Sequence, residues 1–203
     1  MTLREVRSAL SGRTPGMQDM GAEYAVLVPL VEGEEGLELL FEVRAATLSR
    51  QPGEVCFPGG RMERGETPAA CALRESWEEL AIPPARVELL AELDWVVHQS
   101  GLLLHPVLGL VDPRAAAALD PNPAEVGKTF RVPLEFFRSH PPVCPRYPLE
   151  PRPGADFPYD LINFPQGYPW KGGEVEVPIY RWQGRAIWGI TGRIVRHLVQ
   201  VLG

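Results

Sequence analysis

Three glutamates stand close together in one stretch of this 203-residue chain. Glu75, Glu78 and Glu79 fall within five residues, and a glycine-rich turn, Phe57-Pro58-Gly59-Gly60, precedes them. Residues three and four apart are neighbours on a helix, so like charges at this spacing repel each other. Mg²⁺ removes such repulsion, since it binds a few carboxylates together with water and substrate phosphates. The cluster predicts a metal-dependent enzyme acting on phosphates; the alternative is a solvated acidic helix face.

The helix that must position these glutamates is delimited by its own sequence. Thr67 is suited to the N-cap and Pro68 to the first helical position, and the helix is predicted to run to about Leu80. Its other side carries an apolar stripe that we expect to be buried. The residues of this stripe are Ala69, Ala70, Leu73, Trp77 and Leu80.

The segment from Gly60 to Ile82 resembles the Nudix box, GX5EX7REUXEEXGU, in which U is a bulky aliphatic residue. The matching residues are Gly60, Glu66, Arg74, Glu75, Glu78, Glu79 and Ile82. Ser76 stands where an aliphatic residue is usual, and Ala81 replaces the final glycine. Because alanine is disfavoured in left-handed backbone, we expect that the helix could end differently, near Pro83-Pro84.

Three further segments are similar to the coenzyme A pyrophosphatase branch of the Nudix hydrolases. The first runs from Leu39 to Ala45 and continues through Gly53 to the glycine turn, following roughly LLTxR[SA]x3Rx3Gx3FPGG. The arginine expected five residues after Arg44 is Ser49 here, and Arg50 comes one place later. The other two segments are Asn122–Val126 followed by Val132–Leu134, and Ile187–Arg193.

This resemblance implies hydrolysis of the diphosphate of CoA or acyl-CoA to 3′-phospho-ADP and an (acyl-)4′-phosphopantetheine product. The displaced arginine, Arg50, leaves open another nucleoside diphosphate derivative such as ADP-ribose, a dinucleotide or a damaged nucleotide. A third interpretation is a ligand-binding Nudix domain without turnover, which would be expected to have lost charges of the box.

The resemblance also implies roles for individual residues. The expected ligands of Mg²⁺ or Mn²⁺ are Glu75 and Glu79, with Glu78 as a third and the Gly60 carbonyl as another. Arg74 is expected to orient a glutamate, and Glu66 to support the junction between loop and helix. The general base is expected to be Glu125 or, as second choice, Glu78; the alternative for Glu125 is a loop residue capping a short helix. Arg44, Arg50 and Arg61 are candidates for contacting substrate, against the plain alternative of solubilising surface charges.

Composition restricts the other possibilities. A net charge of −6 disfavours non-specific nucleic-acid binding. The three cysteines have no CxxC spacing, so neither a disulfide framework nor a zinc knuckle is indicated. The charged start and the lack of a long apolar run predict a cytoplasmic protein without a membrane partner.

The other elements are predicted from periodicity and turn residues. Residues 24–31 and 37–44 are predicted to form a hairpin around a Gly/Glu turn, 87–97 and 102–111 two strands, and 112–122 a loop with an alanine-rich insert. In the C-terminal part we expect a closing hairpin of 175–180 with 186–188, and an amphipathic helix over 190–202 that buries Ile190, Ile194, Leu198 and Val201.

The predicted architecture is one domain over residues 1–203, with the α/β/α sandwich around a mixed β-sheet that the family implies. Proline recurs every few residues from 141 to 178, which predicts an extended, irregular excursion. Its aromatic residues indicate packing, either as a structural wrap or as a lid over substrate. A homodimer is a further possibility.

Overall fold

The computed structural model describes residues 1–14, 17–18 and 21–203, which are arranged around a mixed β-sheet. Its strands are β1 (Ala22–Gly33), β2 (Gly36–Arg44), β3 (Val55–Cys56), β4 (Gly59–Arg61), β5 (Val87–Glu92), β6 (Val96–His98), β7 (Leu102–Val111) and β8 (Val126–Pro133). The helices are α1 (Leu3–Leu10), α2 (Pro68–Leu80), α3 (Pro113–Ala117), α4 (Leu134–Ser139) and α5 (Gly189–Leu202). Two smaller hairpins pair β9 (Arg146–Leu149) with β10 (Gly173–Glu176) and β11 (Ile179–Trp182) with β12 (Arg185–Trp188).

Strand β1 is the centre of the sheet. It runs parallel to β7 on one side, and on the other it pairs antiparallel with β2 and then with β4. The predicted β1–β2 hairpin is confirmed, with Gly33 opposite Gly36 at its turn. β8 lies on the far side of β2, and β5 and β6 follow one another along β7.

Helices cover both faces of the sheet because both faces are apolar. Alternate residues of β1 point to opposite sides, so Leu27 and Val31 face α2 while Val28 and Leu30 face α4 and α5. On the second side, Ile194 and Leu198 of α5 pack into the same cluster. The predicted α/β/α sandwich around a mixed sheet is therefore confirmed.

Two expectations for the middle of the chain are corrected. The predicted strand from 87 to 97 is two strands, because Leu93 turns inward and its N–H donates to the Pro106 carbonyl at 2.9 Å. The alanine-rich segment from 112 to 122, expected to be a loop, contains the short helix α3. Asp112 caps that helix by accepting from the N–H groups of Arg114 (2.9 Å) and Ala115 (3.3 Å).

Two expectations for the C-terminal part are also corrected. The closing hairpin was predicted to join 175–180 with 186–188, but it pairs only β11 with β12, and β10 pairs with β9. Helix α5 was predicted to bury Ile190, Ile194, Leu198 and Val201. Val201 is 61% exposed because the packing of α5 ends at Leu198, and Val195 and Thr191 complete the buried stripe instead.

The Pro-rich excursion (residues 141–178) is mostly irregular, as predicted, and is closed at its base. Val143 and Ile179 exchange two backbone hydrogen bonds there, at 2.8 and 3.1 Å. Glu176 accepts from Arg146 at 3.0 Å and also pairs with Arg196 of α5. The choice between wrap and lid, and the extent of one domain over 1–203, stay predictions.

Candidate active site

Helix α2 places two of the three clustered glutamates against the sheet. The predicted N-cap is confirmed, with Thr67 Oγ1 accepting from the Ala70 N–H at 3.2 Å. Glu79 is 4% exposed, and the Glu75 side chain is 15% exposed. The Glu78 side chain is 53% exposed and points away from the sheet. The glutamates are thus spread over three environments rather than gathered on one face.

The predicted apolar stripe of α2 is wrong for most of its members. Trp77 is 51% exposed, Ala70 is exposed, and Ala69 and Leu73 are only partly buried, which leaves Leu80 as the correct member. The residues that α2 buries are Cys71, Ala72, Ser76, Glu79 and Leu80. Small side chains let the helix lie close to β1, and the Ser76 hydroxyl donates to the Ala72 carbonyl at 2.6 Å.

The glycine turn fits against the same side of α2. The Gly59 N–H donates to Glu79 Oε2 at 2.8 Å, which fixes this carboxylate at the turn. A Cβ atom at Gly59 would collide with the Ala25 carbonyl, and one at Gly60 would collide with the Glu75 carboxylate. The Gly60 carbonyl points towards the helix and accepts from the Cys71 thiol at 3.6 Å. Both glycines are needed because backbone and carboxylates approach each other so closely.

Arg74 ties the acidic residues of the loop to those of the helix. Its guanidinium contacts Glu66 at 3.0 and 3.1 Å, Glu75 at 2.6 Å and Glu78 at 3.3 Å. Glu66 also accepts from the Glu63 N–H at 2.9 Å, as expected for a residue that supports the loop–helix junction. These hydrogen bonds hold the pKa of Glu66 low, at about 2. Arg74 therefore orients Glu75 while Glu66 anchors Arg74.

Helix α2 runs to Leu80, as predicted, and Ala81 is its C-cap, so the alternative of an end near Pro83-Pro84 is wrong. Ala81 adopts the left-handed conformation, with φ 56° and ψ 31°, at the position where the box has glycine. Its N–H donates to the Trp77 carbonyl at 3.0 Å, and that of Ile82 donates to Ser76 at 3.3 Å. These bonds, and the complete burial of Ile82, offset the strain of a left-handed alanine.

The loop before β8 brings Glu125 to the same region. The Asn122 N–H donates to the Glu79 carbonyl at 2.8 Å, and the Glu125 carbonyl accepts from the Ala45 N–H at 2.7 Å. Glu125 is half-buried, and its charge adds, after the larger effect of burial, to the raised pKa of Glu75 and Glu79. The backbone bonds thus bring the Glu125 loop to the end of α2 that carries Glu79.

A fourth carboxylate, Glu42 of β2, was missed as a site residue by sequence reasoning. It is 1% exposed, and its Oε1 accepts from the Cys56 thiol at 3.2 Å. A signal was available: Glu42 is the single charged residue in the otherwise apolar run from Leu39 to Val43.

Burial dominates the electrostatics of this cluster. Burial, followed by the charge of Glu42, raises the pKa of Glu79 to about 9. Burial also raises the pKa of Glu42 to about 7, against a lowering by the Cys56 thiol and Arg44. The pKa of Glu75 is raised by burial despite its bond with Arg74. Groups of this kind favour either a shared proton or a cation.

A family model described as the NUDIX domain matches residues 22–135, more than half of the chain. The chain belongs to the Nudix family. This confirms the resemblance of Gly60–Ile82 to the Nudix box, whose arginine and glutamates form the contacts described above.

Named relatives add detail to the Nudix assignment. The peroxisomal coenzyme A diphosphatase NUDT7 of Mus musculus is 43% identical over 122 residues, covering 60% of this chain and 50% of that protein. The Nudix hydrolase NudL of Photorhabdus laumondii is 32% identical over 185 residues, which cover 91% of this chain and 87% of that protein. Nudix hydrolase 22, chloroplastic, of Arabidopsis thaliana is 32% identical over 184 residues, which cover 88% of this chain and 54% of that protein. The chain therefore spans about half the length of two of these three relatives.

The donor atoms of the Nudix box fit a hard divalent cation. Glu75, Glu79 and the Gly60 carbonyl place oxygen atoms at one junction, and hard divalent cations prefer oxygen ligands and complete their shell with water and substrate phosphates. Within the described residues, no three acidic, histidine or cysteine side chains are arranged as a finished metal site. Arg74 occupies one oxygen of Glu75, and the Glu78 side chain is more than half exposed.

The three candidate arginines for substrate lie around the glycine turn without converging. Arg50 and Arg61 are exposed, and Arg44 is half-buried. Arg44 Nε donates to the Arg50 carbonyl at 3.4 Å, which holds the loop after β2 against the strand.

In residues 1–14, 17–18 and 21–203, no helix is long and apolar enough to cross a membrane. The cytoplasmic location and the homodimer stay predictions.

Proposed function

We propose that this Nudix protein is a metal-dependent pyrophosphatase that hydrolyses the diphosphate of CoA or acyl-CoA. The products would be 3′-phospho-ADP and (acyl-)4′-phosphopantetheine. The observation that carries the proposal is the pair of inward carboxylates, Glu75 and Glu79, fixed at the Gly59–Gly60 turn. The name of the mouse relative, a coenzyme A diphosphatase, supports the choice of substrate.

Glu75, Glu79 and the Gly60 carbonyl would hold Mg²⁺ or Mn²⁺, with Glu78 as an outer ligand. A divalent cation bound there lowers the pKa of a bound water and neutralises charge on phosphoryl oxygens. Arg74 keeps Glu75 in place through its 2.6 Å bond, and Glu66 keeps Arg74 in place. Arg74 is thus a positioning residue, because its guanidinium is engaged with carboxylates rather than free for substrate.

Glu125 is our choice of general base over Glu78. Glu125 lies on a loop whose backbone is bonded to Glu79 of α2 and to Ala45, just after β2, so the loop is held against both elements. Glu78 is more than half exposed and ion-paired with Arg74. A base must reach the attacking water in a fixed geometry, which favours the tethered residue.

Arg44 is the preferred contact for the 3′-phosphate of CoA, with Arg50 and Arg61 as further cations at the rim. Arg44 extends from β2 at the edge of the acidic cluster, and its charge acts on Glu42. Arg50 is held beside Arg44 by its own backbone carbonyl, so the displaced arginine stays close to the expected position.

The test is an assay with Mn²⁺ and a panel of CoA, dephospho-CoA and ADP-ribose, with mass-spectrometric identification of the products. We expect cleavage of CoA to 3′-phospho-ADP, faster than that of dephospho-CoA. The Glu79→Gln variant should lose turnover, and Glu88→Gln, on the exposed side of β5, should keep it. Equal rates on CoA and dephospho-CoA would contradict the 3′-phosphate contact, and no cleavage of any member would contradict the proposal.

A further inference from the structure

We propose that Glu42 is an additional carboxylate ligand for the divalent cations of this site, contributed by the sheet rather than by α2. The proposal rests on the proposed function, since it concerns the same cations. It extends the ligand set beyond the Nudix box to a residue of strand β2.

Glu42 has one satisfied and one unsatisfied carboxylate oxygen. Oε1 accepts from the Cys56 thiol at 3.2 Å, and Oε2 is buried with no hydrogen-bond partner among the described residues. A buried polar atom without a partner costs free energy, and a buried carboxylate without a counter-charge costs considerably more. The side chain is 1% exposed, so bulk water does not reach it. In the metal-free protein a proton can neutralise this carboxylate, and a bound cation can take its place at Oε2.

The side chain points into the cation site. Residues two apart on a strand face the same side, so Glu42 faces the α2 side like Leu40, which belongs to the same buried cluster as Leu80 and Val126. The Cys56 thiol donates to Glu42 Oε1 at 3.2 Å, and the Gly59 N–H, three residues further along, donates to Glu79 Oε2 at 2.8 Å. Both carboxylates are therefore held along the short segment from Cys56 to Gly59, at the junction of sheet and helix.

The described part of the chain shows no ion pair at either carboxylate. Among the described residues, no ion pair within 4.0 Å includes Glu42 or Glu79, whereas Glu75 is paired with Arg74. Arg44, on the same strand, donates its Nε–H to the Arg50 carbonyl instead. Two buried carboxylates with one unpartnered oxygen suit a hard cation, which prefers oxygen ligands.

Cys56 fixes the direction of Glu42. It lies opposite Glu42 in the β2–β3 pairing, three residues before Gly59, and its thiol holds Oε1. The hydrogen bond leaves Oε2 free for a ligand. Cys56 is a positioning residue on this account, and burial raises its pKa, so it remains a neutral donor.

The experiment is a Mn²⁺ titration of the purified protein, in which free Mn²⁺ is measured by electron paramagnetic resonance. Glu42→Gln is compared with Glu38→Gln, a control on the same strand whose carboxylate lies near Arg131 at 3.9 Å. We expect Kd for Mn²⁺ to rise about tenfold or more in Glu42→Gln and to be unchanged in Glu38→Gln. Unchanged affinity in folded Glu42→Gln overturns the proposal.

Thermal unfolding separates ligation from a structural role. Without metal, Glu42→Gln should unfold at a higher temperature than wild type, since it removes an unpaired buried charge; with Mn²⁺ its gain in Tm should be smaller. A lower Tm without metal together with an unchanged gain from Mn²⁺ would assign Glu42 to structure alone and overturn the proposal. If Glu42→Gln does not fold, Glu42→Asp is titrated with Mn²⁺ instead. Aspartate keeps the charge but is one methylene shorter, so its carboxylate is withdrawn from the site. An unchanged Kd for Mn²⁺ in this variant would also overturn the proposal.

A Glu79→Gln variant distinguishes the two proposals. Wild-type Mn²⁺ affinity in Glu79→Gln would contradict the ligand set of the proposed function. Loss of affinity in Glu79→Gln but not in Glu42→Gln would leave that function intact and refute only the role of Glu42.

Discussion

In the acidic site, Glu42 and Glu79 are almost completely buried, and each is fixed by a single hydrogen bond to Cys56 or Gly59. In the Pro-rich excursion, the aromatic rings contact one another while remaining exposed. Phe164, Tyr168 and Trp170 are 41–44% exposed. The ring centroid of Tyr168 nevertheless lies 4.9 Å from that of Phe164 and 5.0 Å from that of Trp170. The acidic site thus buries ionisable side chains in the core, whereas the Pro-rich excursion forms a small aromatic cluster at the surface.

The difference shows where the two regions obtain their order. The site is ordered by the sheet, because every carboxylate in it is attached to a strand, to α2 or to the loop before β8. The excursion is ordered at its base, by Val143, Glu176 and Ile179, and beyond the base by contacts among its own residues. Substitutions in the site should therefore alter chemistry, and those in the excursion should alter local order.

The largest effect on catalysis is expected for Glu79→Gln, a substitution in the acidic site. We expect kcat to fall at least about 100-fold, because the substitution removes a charged oxygen ligand at the Gly59 turn. The fold should persist, since a neutral side chain suits this buried position at least as well. Steady-state kinetics and circular dichroism check both points. Retained kcat would show that the inward carboxylate is not part of the chemistry.

Gly60→Ala tests the close approach of backbone and carboxylate. The added methyl group would meet the Glu75 carboxylate and push it out of place, so we expect kcat to fall about tenfold or more. Gly173→Ala is the matched control in the excursion, where a Cβ atom would have nothing within 4 Å. Equal activity of the two variants would contradict the tight geometry of the site.

The stability of the metal-free protein should depend on pH through the site and not through the excursion. The pKa values of Glu42 and Glu79 are raised to about 7 and about 9, above the ordinary value of 4.5. The folded state therefore binds more protons, and the free energy of unfolding should fall as pH rises from about 5 to 9. In the excursion, hydrogen bonds from Arg196 and Arg146 lower the pKa of Glu176, so it stays ionised throughout that range.

Thermal unfolding in EDTA at several pH values measures this slope. Addition of Mn²⁺ should flatten it, because bound cations favour the ionised carboxylates. A Tm that is constant or rises over this range would mean that the two glutamates are not protonated in the folded protein.

The smallest effect is expected for Trp170→Ala. Trp170 lies 5.4 Å from Phe157 and 5.0 Å from Tyr168, and it is 41% exposed. Its removal should lower the free energy of unfolding by about 1 kcal/mol or less, and kcat on CoA should stay within about twofold. Denaturant unfolding and steady-state kinetics provide the measurements. A large fall in kcat would contradict a purely structural role of the excursion and would favour a lid over the substrate.

Much of this architecture followed from local sequence signals. The limits of α2 were predictable because Thr67 and Pro68 begin the helix, and the β1–β2 hairpin followed from two β-rich runs around a Gly/Glu turn. The last helical residue, Leu80, was also predicted, but the alternative end near Pro83-Pro84 was wrong, because the burial of Ile82 outweighs the cost of a left-handed Ala81.

The buried face of α2 and the role of Glu42 were beyond such signals. Hydrophobicity favoured Trp77 over Glu79 for burial, but the glycine turn binds the Glu79 carboxylate and turns the helix the other way. Glu42 is brought to α2 by strand pairing, a long-range contact that local spacing does not contain. Both residues are visible in the sequence, but their proximity follows only from the tertiary structure.

Leu149 and Gly173 face each other across the β9–β10 hairpin, so residues 150–172 leave the molecule and come back at a single point. A tight two-residue turn such as Asn-Gly would span the same gap, and the whole aromatic cluster could be excised or exchanged for another sequence. The paired ends of β9 and β10 thus offer a graft position, where a different recognition element could be inserted while the sheet and α2 keep their sequence.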